Sequence, residues 1–290
     1  MQVIKTIQEM QQTVKKIKQK QSTIGFVPTM GYLHEGHTAL VDQARKQNSI
    51  VIMSIFVNPL QFGPNEDFDK YPRDEMRDMK IAEEHGVDYL FLPTVDEMYP
   101  NKLGVNMTVI DRVDVLCGKS RPGHFSGVVT VLTKLFHVTQ PDHVYFGRKD
   151  AQQVAVIDQM IKDLNFPLTL HMVPTVREKD GLAKSSRNVY LTESEREEAV
   201  QLYHSLHLAQ KKIFDGENNP AIIVNEVKKY IQSNTSGAID YVEILTFPTL
   251  QPMDLINQQF IIAIAVQFDK ARLIDNLIMS ADGKIDHITL

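Results

Sequence analysis

Residues 27–41 read "VPTMGYLHEGHTALV" and place two imidazoles, His34 and His37, three positions apart at the mouth of a helix-like segment that follows an apolar strand. A helix N-terminus offers free N–H groups and the positive end of the helix dipole, so it receives anions. Imidazoles there add hydrogen-bond donors, and one of them can pass a proton to a leaving oxygen. Gly36 between them lets the backbone come close to a ligand. The combination suits a triphosphate, whose α-phosphate gains negative charge as its anhydride bond breaks. Helix capping and a plain surface pair are the alternatives. The spacing lacks the i,i+4 geometry of helical zinc ligands, and no third ligand is evident.

Other polar clusters also follow apolar runs. "NPLQFG" carries Gln61, "YFGRKDAQQ" carries Lys149, Asp150 and Gln153, and "REKDGLAKSSRN" carries Lys184, Ser185, Ser186 and Arg187. A glutamine amide donates and accepts, which suits a hydroxy acid with a carboxylate; each amide also reads as an ordinary loop or helix-surface group. Lysine is a compact charge for a phosphate, or a solvated side chain. The N–H groups and hydroxyls of "LAKSSRN" can wrap phosphates, or form a polar loop. Asp150 orients Mg²⁺ through water or caps the next helix, and the cap is preferred. Arg121 and His124 in "RPGHFSG" order a loop beside the site or serve structure alone.

These clusters need elements to hold them. Apolar spacing predicts an amphipathic helix over Val3–Lys20, with Ile4, Ile7, Met10, Val14 and Ile17 on one face. Strands follow at "TIGFVPT", Ser49–Val57, "VDYLFLP", "PDHVYFG" and "LTLHMVPTV", separated by helical stretches such as "HTALVDQARKQ", "SGVVTVLTKLFHV" and "AQQVAVIDQMIKDL". The strands are near-continuous apolar runs, as in sheets covered on both faces. The fold class is α/β: a Rossmann-like parallel sheet with helices on both faces over residues 1–176. Residues 177–290 form a smaller C-terminal α+β domain, with helices over Glu193–Phe214 and Pro220–Gln232 and strands at "IDYVEIL" and "FIIAIAVQF". Ligands of open α/β sheets bind at the carboxyl ends of the strands, so the clusters share one cleft.

With 290 residues, 43% of them hydrophobic and 23% charged, the chain is an ordinary globular protein. A net charge of −5 argues against broad binding to nucleic acid or anionic membrane. The single cysteine, Cys117, excludes an intramolecular disulfide and fits a reducing cytoplasm. The polar, periodic first residues are no signal peptide, and "FIIAIAV" is too short to span a bilayer.

The "HEGH" cluster resembles the HxGH signature of the nucleotidyltransferase superfamily. Together with "SIFVNPLQFGPNEDFDKYPR", "RPGHFSGVVTVLTKLF", "YFGRKDAQQ" and "REKDGLAKSSRNVYL", in that order, the chain resembles the pantothenate synthetase (pantoate–β-alanine ligase) family from Ile24 to Leu191. A weaker echo falls at "DKARLIDN". The resemblance implies that Met30, Gly31, Tyr32, Leu33, His34, Glu35, Gly36 and His37 bind ATP, with His37 the catalytic proton donor. Gly147, Arg148, Lys149 and Asp150 would also bind ATP, Lys149 near the phosphates. Gln61 would contact pantoate and β-alanine, and Gln153 pantoate. Val176, Lys184, Ser185, Ser186 and Arg187 would close over the nucleotide. Lys184 stands where the family usually has Met, which leaves its role open. The resemblance further implies ATP as co-substrate, Mg²⁺, a homodimer, and a C-terminal lid hinged at "KSSR". A nucleotidyltransferase without an amide-forming step and a nucleotide-binding regulatory module are the rival readings; formation of AMP with a new amide, and release of pyrophosphate, separate them.

Overall fold

The computed structural model describes residues 1–64, 66 and 68–285. Asn65 and Asp67, inside the stretch expected as a loop, and residues 286–290 of the expected second unit lie outside the described residues.

The chain begins with β1 (Gln2–Ile4), α1 (Ile7–Gln19), β2 (Ile24–Thr29), α2 (Glu35–Gln47), β3 (Ile50–Ile55), α3 (Glu75–Glu84) and β4 (Tyr89–Phe91). It continues through α4 (Val95–Met98), α5 (Leu116–Ser120), α6 (His124–Thr139), β5 (His143–Gly147), α7 (Ala151–Asp163) and β6 (Thr169–Val173). The strands pair in parallel in the order β1-β4-β3-β2-β5-β6. Residues of α1, α6 and α7 pack on one face of this sheet, and those of α2 and α3 on the other. The expected α/β class therefore holds. The chain leaves β2 toward β3 and β4, then returns to β5 on β2's other side. The loops after β2 and β5 thus flank the switch point, where open α/β sheets form a crevice.

The expected helix over Val3–Lys20 is divided. Gln2–Ile4 pairs with Tyr89–Phe91 as an edge strand, and Thr6 caps α1 by accepting from the Glu9 N–H at 3.3 Å. Ile4 and Ile7 fit a helical stripe by spacing, but strand pairing from a distant segment decides Ile4.

The remaining elements are α8 (Glu193–Phe214), α9 (Pro220–Asn234), β7 (Ala238–Thr246), β8 (Phe260–Gln267) and β9 (Arg272–Met279). The three strands form an antiparallel sheet in that order. Its side chains alternate between two environments. Ile261, Ala263, Ala265 and Ile278 join the core of the parallel-sheet unit, while Ile262, Ile264, Val266 and Leu277 pack with α8 and α9. Both faces are covered, which is why β8 is apolar from Phe260 to Val266. The sequence does not mark β9 as a strand, because the buried Asp275 and Asn276 interrupt its apolar pattern.

Candidate active site

The turn between β2 and α2 is held from below. The Thr29 hydroxyl donates to the Ser54 carbonyl at 2.8 Å and accepts from the Gly31 N–H at 3.2 Å. Tyr32 takes a left-handed φ of 49°. The buried carboxylate of Asp78, on α3, accepts from the Tyr32 and Leu33 N–H groups, each at 2.7 Å. The sequence alone does not mark Asp78 as a site residue. Its only sequence signal is an acid on the core-facing side of a helix.

His34 is the N-cap of α2, and its Nδ1 accepts from the Gly36 N–H at 3.1 Å. The His34 N–H in turn donates to Nδ1 of His37 at 3.2 Å. A ring nitrogen that accepts carries no proton, so each neutral imidazole holds its hydrogen on Nε2. Burial, aided by the Lys149 charge, lowers His34 to about 4. Burial, then the neighbouring His34 and Lys149, holds His37 well below the ordinary value. Both histidines are therefore neutral Nε2–H donors near pH 7, with ring centres 4.1 Å apart.

A Cβ on Gly36 would lie 2.8 Å from Cε1 of His34. Gly36→Ala should gain about 1 kcal/mol of helix propensity and lose a cap worth about 0.5–2 kcal/mol. Stability should therefore change little, while the displaced His34 ring lowers the ATP-dependent rate about tenfold. Thermal melts and initial rates on one preparation check this; a large drop in melting temperature would contradict it.

Gln61 ends a short 3-10 turn, Pro59–Gln61, that follows β3. Its Oε1 accepts from Nδ2 of the buried Asn58 at 3.1 Å, and its Nε2 lies 3.2 Å from the Met30 sulfur. Asn58 thus sets which end of the amide donates. Nδ1 of His124 donates to the Gln61 carbonyl at 2.8 Å, while its Nε2 accepts from Arg121 at 3.1 Å. Burial, with Arg121, lowers His124 to about 4, in keeping with that neutral tautomer. Arg121 also pairs with Glu66 through Nε at 2.8 Å. Arg121 and His124 therefore position the Gln61 turn. Gly127 of α6 packs on the same turn, where a Cβ would lie 2.2 Å from the Leu60 carbonyl oxygen.

Lys149 and Asp150 follow β5, with a nitrogen–oxygen distance of 4.0 Å. Asp150 occupies the N-cap position of α7 but makes no side-chain capping bond, contrary to the preferred reading. Asp150 instead lines the cleft. Asn276 on β9 donates to the Arg148 and Lys149 carbonyls at 3.1 and 2.8 Å. The small sheet thereby fixes the Lys149 backbone. The side-chain amide of Gln153 makes no hydrogen bond to the described residues.

Val176 and Lys184 close a hairpin through the Lys184 N–H and the Val176 carbonyl, 3.0 Å apart. Arg177 anchors it to Asp275 at 2.6 and 3.0 Å. Ser185 then caps a 3-10 turn over Ser186–Tyr190, accepting from the Arg187 N–H at 3.3 Å. The Ser186 hydroxyl lies 3.5 Å from the Tyr32 carbonyl, across the cleft.

A cavity of about 210 Å³ gathers most of the expected residues: Met30, His34, Gly36, His37, Gln61, Gly147, Lys149, Asp150, Gln153, Val176, Lys184, Ser185, Ser186 and Arg187. Gly31, Tyr32, Leu33, Glu35 and Arg148 do not line it. Leu33 is fully buried in the core, and Arg148 is buried too. A second cavity of about 550 Å³ shares Lys149, Asp150, Gln153, Ser185 and Arg187 as a common wall. Neutral donors, a cation and two amides therefore converge on adjoining spaces, which suits an anion beside a small polar acid.

The profile of the pantoate-beta-alanine ligase family matches residues 2–278. The chain is 60% identical over 271 residues to a pantothenate synthetase of Geobacillus sp. (strain WCH70), covering 93% of this chain and 96% of the relative. It is 57% identical to the pantothenate synthetase of Bacillus cytotoxicus, covering 97% and 99%. A crystal structure of pantothenate synthetase from Thermus thermophilus superposes with a TM-score of 0.90 at 43% identity, covering 96% of this chain and 99% of that one. Pantoate-beta-alanine ligase from Francisella tularensis, complexed with beta-gamma ATP and beta-alanine, superposes with a TM-score of 0.79 at 35% identity, covering 96% and 97%.

Proposed function

The chain belongs to the pantoate–β-alanine ligase family, and from that membership we propose how its cleft works. It is an ATP-dependent ligase that condenses (R)-pantoate with β-alanine to give pantothenate. In the first step, a pantoate carboxylate oxygen attacks the α-phosphorus. The bond to the β-phosphate oxygen breaks, and pyrophosphate leaves. In the second, the β-alanine amine attacks the acyl carbon of pantoyl adenylate. The acyl–oxygen bond breaks, AMP leaves and the nitrogen gives up a proton.

The observation that carries this assignment is the convergence of His34, His37, Lys149, Gln61 and Gln153 on one cavity. The Nε2–H groups of His34 and His37 and the Lys149 ammonium face the phosphates. They stabilise charge that grows as pyrophosphate departs. Gln61, oriented by Asn58, donates to pantoate, and the uncommitted Gln153 amide completes its recognition. Ser185, Ser186 and Arg187 close over the nucleotide.

Among the described residues, no group of three His, Cys, Asp or Glu side chains stands ready to hold a metal. That fits Mg²⁺ carried by the triphosphate, since Mg²⁺ keeps phosphate and water ligands. Asp150, the sole acid among the described residues lining the smaller cavity, would reach it through water. The ion would supply charge neutralisation.

We divide the chain at Val176, with residues 177–290 as a lid over the cleft. The apolar residues Ile261, Ala263, Ala265 and Ile278, which join the core of the parallel-sheet unit, support a sliding closure rather than a separation. We also assign a homodimer, as the family resemblance implies. No described helix is long and apolar enough to cross a membrane. The lone, buried Cys117 supports assignment to the cytoplasm.

Purified protein with pantoate, β-alanine, ATP and Mg²⁺ should release AMP and pantothenate together. Isotope exchange between pyrophosphate and ATP should require pantoate but not β-alanine. Exchange that strictly needed β-alanine would rule out the free-standing adenylate.

A further inference from the structure

The rim of the smaller cavity carries a cation held by two acids. Nζ of Lys184 lies 2.8 Å from Oε1 of Glu178, on its own hairpin, and 3.1 Å from Oε1 of Glu35, the first residue of α2. The Lys184 side chain is only 19% exposed, whereas that of Glu35 is 64% exposed. Lys184 lines the cavity, but neither carboxylate does.

Glu35 has two opposed effects. An acid in the first turn favours the helix dipole and so supports α2. The same charge opposes an anion arriving at that helix end. An exposed ion pair adds little to folding stability. It still acts on a multiply charged ligand within the Debye length, about 8–10 Å at physiological salt.

We infer that Lys184 is a positioning residue for the nucleotide: it neutralises Glu35 and Glu178, so that the triphosphate meets His34, His37 and Lys149 without carboxylate repulsion. This rests on the reading of the cleft as the ATP site. Bound to two carboxylates, the ammonium makes no contact with the reacting atoms. The base of its stem lies beside Gly36, with Cβ 4.0 Å from where a Cβ on Gly36 would stand.

The test compares the parent, K184M, E35Q and E35Q/K184M at low and high sodium chloride. Methionine keeps an unbranched stem and removes the charge. At low salt, K184M should raise KM for ATP about 3- to 10-fold, with a smaller change in kcat. KM for pantoate and the melting temperature should stay near the parent's, which a merely structural strap would not allow. The ATP effect should shrink as salt rises, and E35Q in the K184M background should restore most of it. An unchanged KM for ATP in K184M would overturn the inference. So would E35Q/K184M as impaired as K184M, because Lys184 would then touch the phosphates itself. A parent that releases no AMP with pantothenate would instead defeat the functional reading, before any variant is compared.

Discussion

His37→Ala is expected to slow formation of the adenylate about 100- to 1,000-fold while sparing the second half-reaction. Its Nδ1 is engaged by the His34 N–H, so only the Nε2–H is available to a ligand. That donor stabilises the departing pyrophosphate. The second step expels AMP and needs no hydrogen at that position. Given preformed pantoyl adenylate and β-alanine, the variant should make pantothenate at a rate near the parent's. Single-turnover kinetics of each half-reaction, with circular dichroism as a fold check, measure this. Equal loss in both halves of a well-folded variant would make His37 a general organiser of the pocket.

The sign of the His37 shift adds a pH test. Because its pKa is lowered in the folded protein, the free enzyme already holds the ring neutral above the ordinary value. Raising the pH through about 6.5 therefore removes no proton from it. The kcat/KM for ATP in the parent should show no fall assignable to His37 between about pH 6 and pH 8. A fall there that disappears in His37→Ala would show that the free enzyme needs the imidazolium.

Lys149→Ala should also cost about 100- to 1,000-fold in the first half-reaction, with a higher KM for ATP. A lysine charge at the phosphates attracts the ground-state triphosphate and stabilises the charge that develops later, so both constants suffer. The same ammonium helps lower both imidazoles. Without it, the pKa values of His34 and His37 should move upward, toward the ordinary histidine value. Nuclear magnetic resonance titration of the ring signals reads that shift independently of turnover. A loss under about tenfold, with unmoved histidines, would place Lys149 away from the phosphates.

Much of this protein is legible in its sequence because the relevant signals are local. Unbroken apolar runs identify strands buried on both faces, and the helical spacing between them implies a parallel sheet. The His34–His37 pair, Lys149 and the glutamines fall just after such strands, so the sheet itself brings them to one edge. The family resemblance carried by the ordered motifs then implies the ligation.

Tertiary structure decided whatever depends on partners far along the chain. Ile4 fits a helical stripe, but its pairing with Phe91 makes it a strand residue. Asp150 stands where a cap belongs, yet it lines the cleft without a capping bond. Asp78 supports the turn before His34 from a separate helix, and no local pattern distinguishes it from another helical acid. The proton position on each imidazole follows from which backbone N–H its Nδ1 accepts, a property of three-dimensional approach rather than residue type. Lys184 carries a charge whose partners, Glu35 and Glu178, meet only when the hairpin folds over the start of α2. Residue types and short spacings determine which chemistry is possible, because they set the available groups and the local backbone. The fold determines which group donates, which accepts and which is neutralised, because each of those outcomes depends on distances between segments remote in sequence.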